Sequence, residues 1–239
     1  MIILPAIDIK DGNCVRLYKG DFATVEKVAE SYLETALSFY EAGAQWIHMV
    51  DLDGAKTAVP QNSKIFNHVA ALGKLKVELG GGIRDMKTVE YYLQKGIARV
   101  ILGSAAVSNP EFVKQAVKEY GEKIAVGIDA KNEFVAAEGW LDTSTVHYIE
   151  LAKSMEQAGV SCIIYTDISK DGTLSGPNLE HLERLSNAVS CNIIASGGIS
   201  DIEDIKNLKS MNLYGAICGK SIYKGTLDLK QAINLSQEG

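Results

Sequence analysis

The run Val77-Glu-Leu-Gly-Gly-Gly-Ile-Arg84 ends a short apolar segment in three consecutive glycines and leads into a helical pattern from Met86. Glycine adds no side chain to a core and costs backbone entropy. The triplet is therefore read as a place where the backbone comes close to a ligand with its amide N–H groups outward. Such groups at the start of a helix suit an anion, most often phosphate. A tight strand-to-helix turn is the plainer alternative, and recurrence of the stretch is what favours the anion.

It recurs as Ala195-Ser-Gly-Gly-Ile-Ser200, again between an apolar run and a helical one. The 116 residues separating Gly82 from Gly198 also separate Asp51 from Asp167 and Gly103 from Gly219. Around these anchors Val100-Ile-Leu-Gly-Ser104 answers Ala216-Ile-Cys-Gly-Lys220, and Asp8 pairs more loosely with Asp129. A period of half the chain is too long for a solenoid. It predicts two similar halves, 1–120 and 121–239, each with one glycine-rich anion site, and hence a ligand with a phosphate at each end.

Outward from these anchors the pattern alternates. Apolar runs that read as strands fall at Ile2–Asp8 and Trp46–Val50, and near 76–80, 99–103, 124–129, 161–166, 192–196 and 214–218. Helical spacing falls near 62–72, 86–95, 110–120, 144–158, 178–188, 202–211 and 226–236. One further helix is predicted from Thr24 as N-cap to Gly43 as terminator, with Val25, Val28, Ala29, Tyr32, Leu33, Ala36, Leu37 and Tyr40 on its apolar face. The strands are continuously apolar, as suits a parallel sheet covered on its outside. Eight strands alternating with eight helices permit a doubly wound sheet or a closed barrel. The halfway repeat favours one α/β domain, a (β/α)8 TIM barrel, because two four-unit halves close symmetrically. The 239 residues suit that fold, for which ~250 is typical.

A net charge of −6 argues against general binding to nucleic acid or anionic membranes. An anion site must then work through local N–H groups and nearby cations. Cys14, Cys162, Cys191 and Cys218 form no C-x-x-C pair, and His48, His68, His147 and His181 show no ligand spacing. Reduced thiols in a cytoplasmic protein, and no metal or other cofactor, are expected. The start Met1-Ile-Ile-Leu-Pro5 lacks the basic region of a signal peptide, and no run reaches membrane-spanning length. A monomer is expected.

In such barrels the chemistry sits at the C-terminal ends of the strands. There the sequence places Asp8, Asp51, the Gly80–Gly82 turn with Arg84, Gly103-Ser104, Asp129, Thr166-Asp167, Ser196-Gly197-Gly198 and Gly219-Lys220. Strands three and four oppose seven and eight, so Gly81, Gly82, Gly103 and Ser104 face Gly197, Gly198, Gly219 and Lys220. Asp8 and Asp129, on strands one and five, flank the middle in the layout of a paired acid and base. One must stay protonated near neutral pH, through burial or a neighbouring negative charge. Helix capping is the alternative for any one aspartate alone. The polar loop Ser169–Pro177 reads as a lid, a binding loop or a connector; it carries Gly172 and Asp171, a second candidate acid. Arg16, in a long loop after strand one, is open to clamping a phosphate or pairing with a surface carboxylate. Trp140, in the loop after strand five, has little core to join and suits stacking on a flat heterocycle, with an ordinary hinge anchor as the alternative.

These motifs now carry a resemblance that spans the chain. Pro5-Ala-Ile-Asp8-Ile-Lys-Asp-Gly12, Val50-Asp-Leu-Asp-Gly-Ala55, Gly80-Gly-Gly-Ile-Arg84, Gly127-Ile-Asp129-Ala130 and Asp167-Ile-Ser-Lys-Asp-Gly-Thr-Leu-Ser-Gly-Pro-Asn178 resemble the phosphoribosylformimino-aminoimidazole carboxamide ribotide isomerase family of histidine biosynthesis. The resemblance implies a substrate with a phosphate at each end and an aminoimidazole carboxamide in the middle. It implies an Amadori rearrangement, aminoaldose to aminoketose, without metal or organic cofactor. Asp8 would be the base that takes the proton from ribose C2. Asp129 would be the acid that protonates the ring oxygen as the furanose opens, with Asp171 and Thr166 sharing or supporting that role. The two glycine sets would hold the phosphates, and Trp140 would stack on the aminoimidazole as its loop closes.

Three alternatives stand beside it. The cyclase subunit of imidazole glycerol phosphate synthase is similar in its repeat and paired aspartates. Its first strand, however, ends in Cys-Leu-Asp with Val-Val-Lys-Gly following, where this chain has Ala6-Ile7-Asp8 and Val15-Arg16-Leu17. A bifunctional isomerase that also accepts phosphoribosylanthranilate differs only in loop residues and stays open. The third is a barrel that binds phosphorylated metabolites without turning them over, against which both central aspartates speak.

Overall fold

The computed structural model describes residues 1–137 and 142–238. In chain order the strands are β1 (Ile2–Lys10), β2 (Asn13–Tyr18), β3 (Asp21–Ala29), β4 (Trp46–Asp51), β5 (Lys76–Gly80), β6 (Arg99–Leu102), β7 (Ile124–Lys131), β8 (Phe134–Ala137), β9 (Asp142–His147), β10 (Cys162–Asp167), β11 (Asn192–Ser196) and β12 (Gly215–Cys218). Eight of them, β1, β4, β5, β6, β7, β10, β11 and β12, follow one another around a ring. Every pairing in that ring is parallel, including the closing pairs β7–β10 and β12–β1. The TIM-barrel expectation is met.

Outside lie α1 (Tyr32–Glu41), α3 (Ser63–Ala71), α4 (Met86–Gln94), α6 (Pro110–Tyr120), α7 (Tyr148–Gln157), α8 (Leu179–Ala188), α9 (Ile202–Ser210) and α11 (Leu229–Gln237). Three short helices, α2 (Leu52–Thr57), α5 (Ala105–Ser108) and α10 (Lys220–Lys224), sit at the C-terminal ends of β4, β6 and β12. Successive strand residues point to opposite faces. Ile7, Ile47, Val77, Val100 and Ile163 pack outward with Phe66, Val89, Val113 and Leu182 of the helices. Leu4, Ala6, Ile101, Ala125, Cys162, Ile164, Ile194 and Ile217 form a separate cluster that fills the barrel. Both faces are buried, hence the continuous apolar runs. Cys14, Cys162 and Cys218 are buried, and all four cysteines are free thiols. Among the described residues no helix is long and apolar enough to cross a membrane.

Two predicted helices are shorter than expected. The stretch from Thr24 begins as β3, which pairs antiparallel with β2, and the helix starts only at Tyr32. Thr24 closes the β2–β3 hairpin instead, accepting the Tyr18 N–H at 2.9 Å and donating to the Asp21 carbonyl at 2.6 Å. Ser31 is the cap, accepting from Glu34 N–H. Val25 satisfied the helical spacing but is exposed on the ribbon. Likewise residues 144–147 belong to β9, and α7 starts at Tyr148 behind His147, whose Nδ1 accepts from Ile149 N–H. The long loop after strand one is thus a β-ribbon.

Candidate active site

A cavity opens at the C-terminal end of the barrel. Asp8, Arg16, Arg84, Gly103, Ser104, Asp129, Thr166, Asp171, Gly172, Ser196, Gly219, Lys220 and the pairs Gly81-Gly82 and Gly197-Gly198 all line it. Trp140 lies outside the described residues. Asp51 does not reach the cavity: it is completely buried. Its two carboxylate oxygens accept from Gly54 N–H (2.9 Å), Gln61 N–H (2.8 Å), Asn62 N–H (3.0 Å) and Asn62 Nδ2 (2.8 Å). The expected substrate-binding role gives way to a structural one, tying α2 and the following loop to the end of β4.

That loop also corrects the reading of the glycines. A Cβ on Gly82 would lie 2.2 Å from the Gly54 carbonyl oxygen, and one on Gly81 would lie 2.2 Å from that of Asp51. Gly82 has φ +76°. On the other side Gly198 has φ +84°, and its Cβ would lie 2.3 Å from the Gly176 carbonyl oxygen. The glycines are there for packing after all, backbone against backbone, as well as for presenting a wall to the cavity. Asp167, 116 residues after Asp51, is anchored in the same manner: it accepts from Ser169 N–H (2.9 Å), Ser169 Oγ (2.7 Å) and Asn178 Nδ2 (2.6 Å). Asn62 and Asn178 stand at that offset too.

Gly103 contrasts with these, because a Cβ there meets no heavy atom within 4 Å. Gly82→Ala is expected to lower stability by more than about 2 kcal/mol, from left-handed backbone strain plus overlap. Gly103→Ala is expected to keep the wild-type melting temperature and raise KM by about tenfold, since its methyl fills space the cavity offers a ligand. Thermal unfolding and steady-state kinetics on the two variants check both expectations.

Between the glycine walls lies a cluster of charge. Arg16 reaches the cavity because β1 and β2 pair antiparallel, with Asp8 opposite Val15. Its Nη1 donates to Asp8 Oδ2 at 2.6 Å, and Nη2 to the Ala6 carbonyl at 3.2 Å. The surface-carboxylate option for Arg16 does not hold: its partner is the central carboxylate of the cavity. Gly219 makes room for it, since a Cβ there would lie 1.8 Å from Nη2. Lys220 donates from Nζ to the Gly172 carbonyl at 2.7 Å. The loop is pinned again where Lys19 N–H meets the Asp171 carbonyl (3.0 Å) and Gly176 N–H meets that of Gly198 (3.0 Å). Asp171 is therefore held over the cavity. Burial pushes its carboxyl up to about 6, countered by Arg16 and reinforced by the charges of Asp8 and Asp129.

Sequence reading missed several lining residues, Leu17, Phe22 and His48 among them. Leu17 and Phe22 come from the β2–β3 ribbon, which the sequence reading took for a loop followed by a helix. His48 shows no ligand spacing in the sequence, yet its place two residues before the end of the Trp46–Val50 run marks an inward-facing strand position.

A sequence model of the family described as "Histidine biosynthesis protein" matches residues 2–228. A protein of Clostridium botulinum (strain Hall) is 56% identical over 239 residues, covering all of this chain and 99% of its own. One of Clostridium novyi is 55% identical over 238 residues, covering both chains completely, and one of Clostridium kluyveri is 56% identical over 235 residues. All three are named as an isomerase of an imidazole-4-carboxamide that carries two 5-phosphoribosyl groups.

Proposed function

We infer that this chain, which belongs to the histidine biosynthesis protein family, is an intramolecular aldose–ketose isomerase. It converts the aminoaldose form of a bis-phosphoribosyl aminoimidazole carboxamide to the aminoketose by an Amadori rearrangement. The observation that carries the assignment of roles is one cavity with a glycine wall on β5–β6, another on β11–β12, and the Asp8–Arg16–Asp129–Asp171 cluster between them. Each half of the chain supplies one phosphate end: Gly81, Gly82, Gly103, Ser104 and Arg84 the first, Ser196, Gly197, Gly198, Gly219 and Lys220 the second. Local N–H groups and these two cations offset the overall negative charge.

In the reaction an acid protonates the ring oxygen, C1–O cleavage opens the furanose to an iminium ion, and a base removes the C2 proton. The resulting enolaminol takes a proton at C1 and gives up the proton of its C2 hydroxyl, which becomes the ketone oxygen, so no atom is gained or lost. Asp8 is the base. The acid must hold a proton when the ring opens, and Asp171, raised to about 6, keeps its proton in a fraction of molecules, about a tenth at pH 7, that an unperturbed aspartate does not. Asp129 then acts by keeping Asp171 protonated, a reassignment of the role the resemblance implies. Thr166, at the end of β10, lines the same wall. All these groups come from one chain, and we propose a cytoplasmic monomer.

The test is a coupled spectrophotometric assay of the purified protein with the aminoaldose bisphosphate, with and without a chelator. Turnover in both is expected. Binding without turnover would replace the isomerase with a non-catalytic phosphometabolite binder. The same assay with phosphoribosylanthranilate, expected to be inactive, separates a bifunctional enzyme.

A further inference from the structure

One more polar group lines the cavity, a layer below Asp8. His48 of β4 stands beside Ala6 of β1 and Glu78 of β5 in the barrel register, while Val50 stands beside Asp8. The imidazole Nδ1 lies 2.7 Å from Glu78 Oε1. Glu78 is completely buried, and its other oxygen accepts two N–H groups of Arg99, at 3.0 and 2.5 Å. The Arg99 guanidinium stacks in turn on the Trp46 ring, 4.5 Å from its centroid. Burial pushes the Glu78 carboxyl up, but His48 and Arg99 outweigh it and hold it below its ordinary value. An ionised carboxylate only accepts, so Nδ1 carries the proton toward Glu78. In the neutral ring Nε2 is then an acceptor. The side chain keeps 12% of its surface accessible, on a ring that borders the cavity.

An acceptor here does not suit phosphate, which is itself all acceptors. Nor is it placed for one, since the glycine walls are at the rim and His48 is at the floor. Of the groups in the middle of the substrate, the carboxamide is a planar N–H donor on a flat ring. We propose that His48 is a substrate-binding residue that accepts an N–H of the substrate carboxamide, with Glu78 and Arg99 as positioning residues that fix its tautomer. This rests on the isomerase reading and adds the group by which the heterocycle is recognised.

The test needs no turnover. Calorimetry compares 5-aminoimidazole-4-carboxamide ribotide with the ribotide whose carboxamide is a methyl ester. Wild type is expected to prefer the carboxamide by about tenfold or more, the worth of a buried hydrogen bond whose loss strands its donor. His48→Leu is expected to bring that ratio near one, with affinity for the ester changed by less than about threefold. Retention of the preference, equal loss of both ligands, or equal binding of both by wild type overturns the proposal. Should the substitution prevent folding, the 15N resonance of His48 Nε2 in wild type decides: a shift with the carboxamide but not the ester is expected, and the same response to both overturns it. Failure of wild type to isomerise the aminoaldose would sink the isomerase reading by itself, whatever the ligand preference.

Discussion

Asp8→Asn is expected to lower kcat by roughly 10²- to 10⁴-fold, the usual worth of a general base, while a non-reacting bisphosphate still binds. The substitution is nearly isosteric, and an asparagine oxygen still accepts from Arg16 Nη1, which now bonds Asp8 Oδ2 at 2.6 Å. The glycine walls proposed for the phosphates belong to other strands, so binding energy is retained and the loss falls on the chemical step. An amide does not take up the C2 proton. A second consequence comes from the cluster. The charge of Asp8 is one of the causes that raise Asp171, so the variant's residual activity should fall off at lower pH than that of wild type. Steady-state kinetics across pH with calorimetric binding measure both. Near-normal turnover would remove Asp8 as the base.

The parts of the molecule legible in the sequence are those where burial or backbone geometry acts on every residue of a stretch. Eight barrel strands stood out because both of their faces are buried, and the glycine turns because few other residues tolerate their conformation. What escaped depends on partners far apart in the chain. β3 carries Val25, Val28 and Ala29 at a spacing that fits a helix, and only its pairing with β2 shows otherwise. Asp8, Asp51 and Asp129 read alike as strand-end aspartates. Asp51 leaves the site because Gln61 and Asn62 fold back onto it. Arg16 depends on an antiparallel turn after β1 that looked like loop. The burial that raises Asp171 comes from packing around the cavity, which a linear sequence does not express. Composition and motif spacing located the cavity; tertiary packing set the different surroundings of its carboxylates.

Asp171→Asn is expected to abolish most turnover and, above neutrality, to stabilise the protein. In the folded chain the Asp171 carboxyl sits at about 6, against 3.8 for an unperturbed aspartate. Between those values the folded state binds more protons than the unfolded one, so stability falls as pH rises through about 6. Below about pH 4 both states are protonated and the group's favourable contribution is complete. Above about pH 6 the folded protein carries a buried charge at a cost of roughly 2 to 3 kcal/mol. Asparagine removes that cost. For a chain of this size the gain is about 5 to 10 °C in Tm at pH 8, with little difference at pH 4. As the acid, Asp171 should also make wild-type kcat/KM fall about tenfold per pH unit above its pKa. The variant should lose roughly 10²- to 10⁴-fold in kcat. Asp129→Asn separates the two candidates: if Asp171 is the acid, that change shifts the fall to lower pH and spares most of kcat. A collapse of kcat at Asp129 with near-normal turnover at Asp171 would return the acid's role to Asp129. A merely structural aspartate at position 171 would lose stability on substitution, so a gain in Tm together with a loss of turnover marks a carboxyl kept in place for its proton.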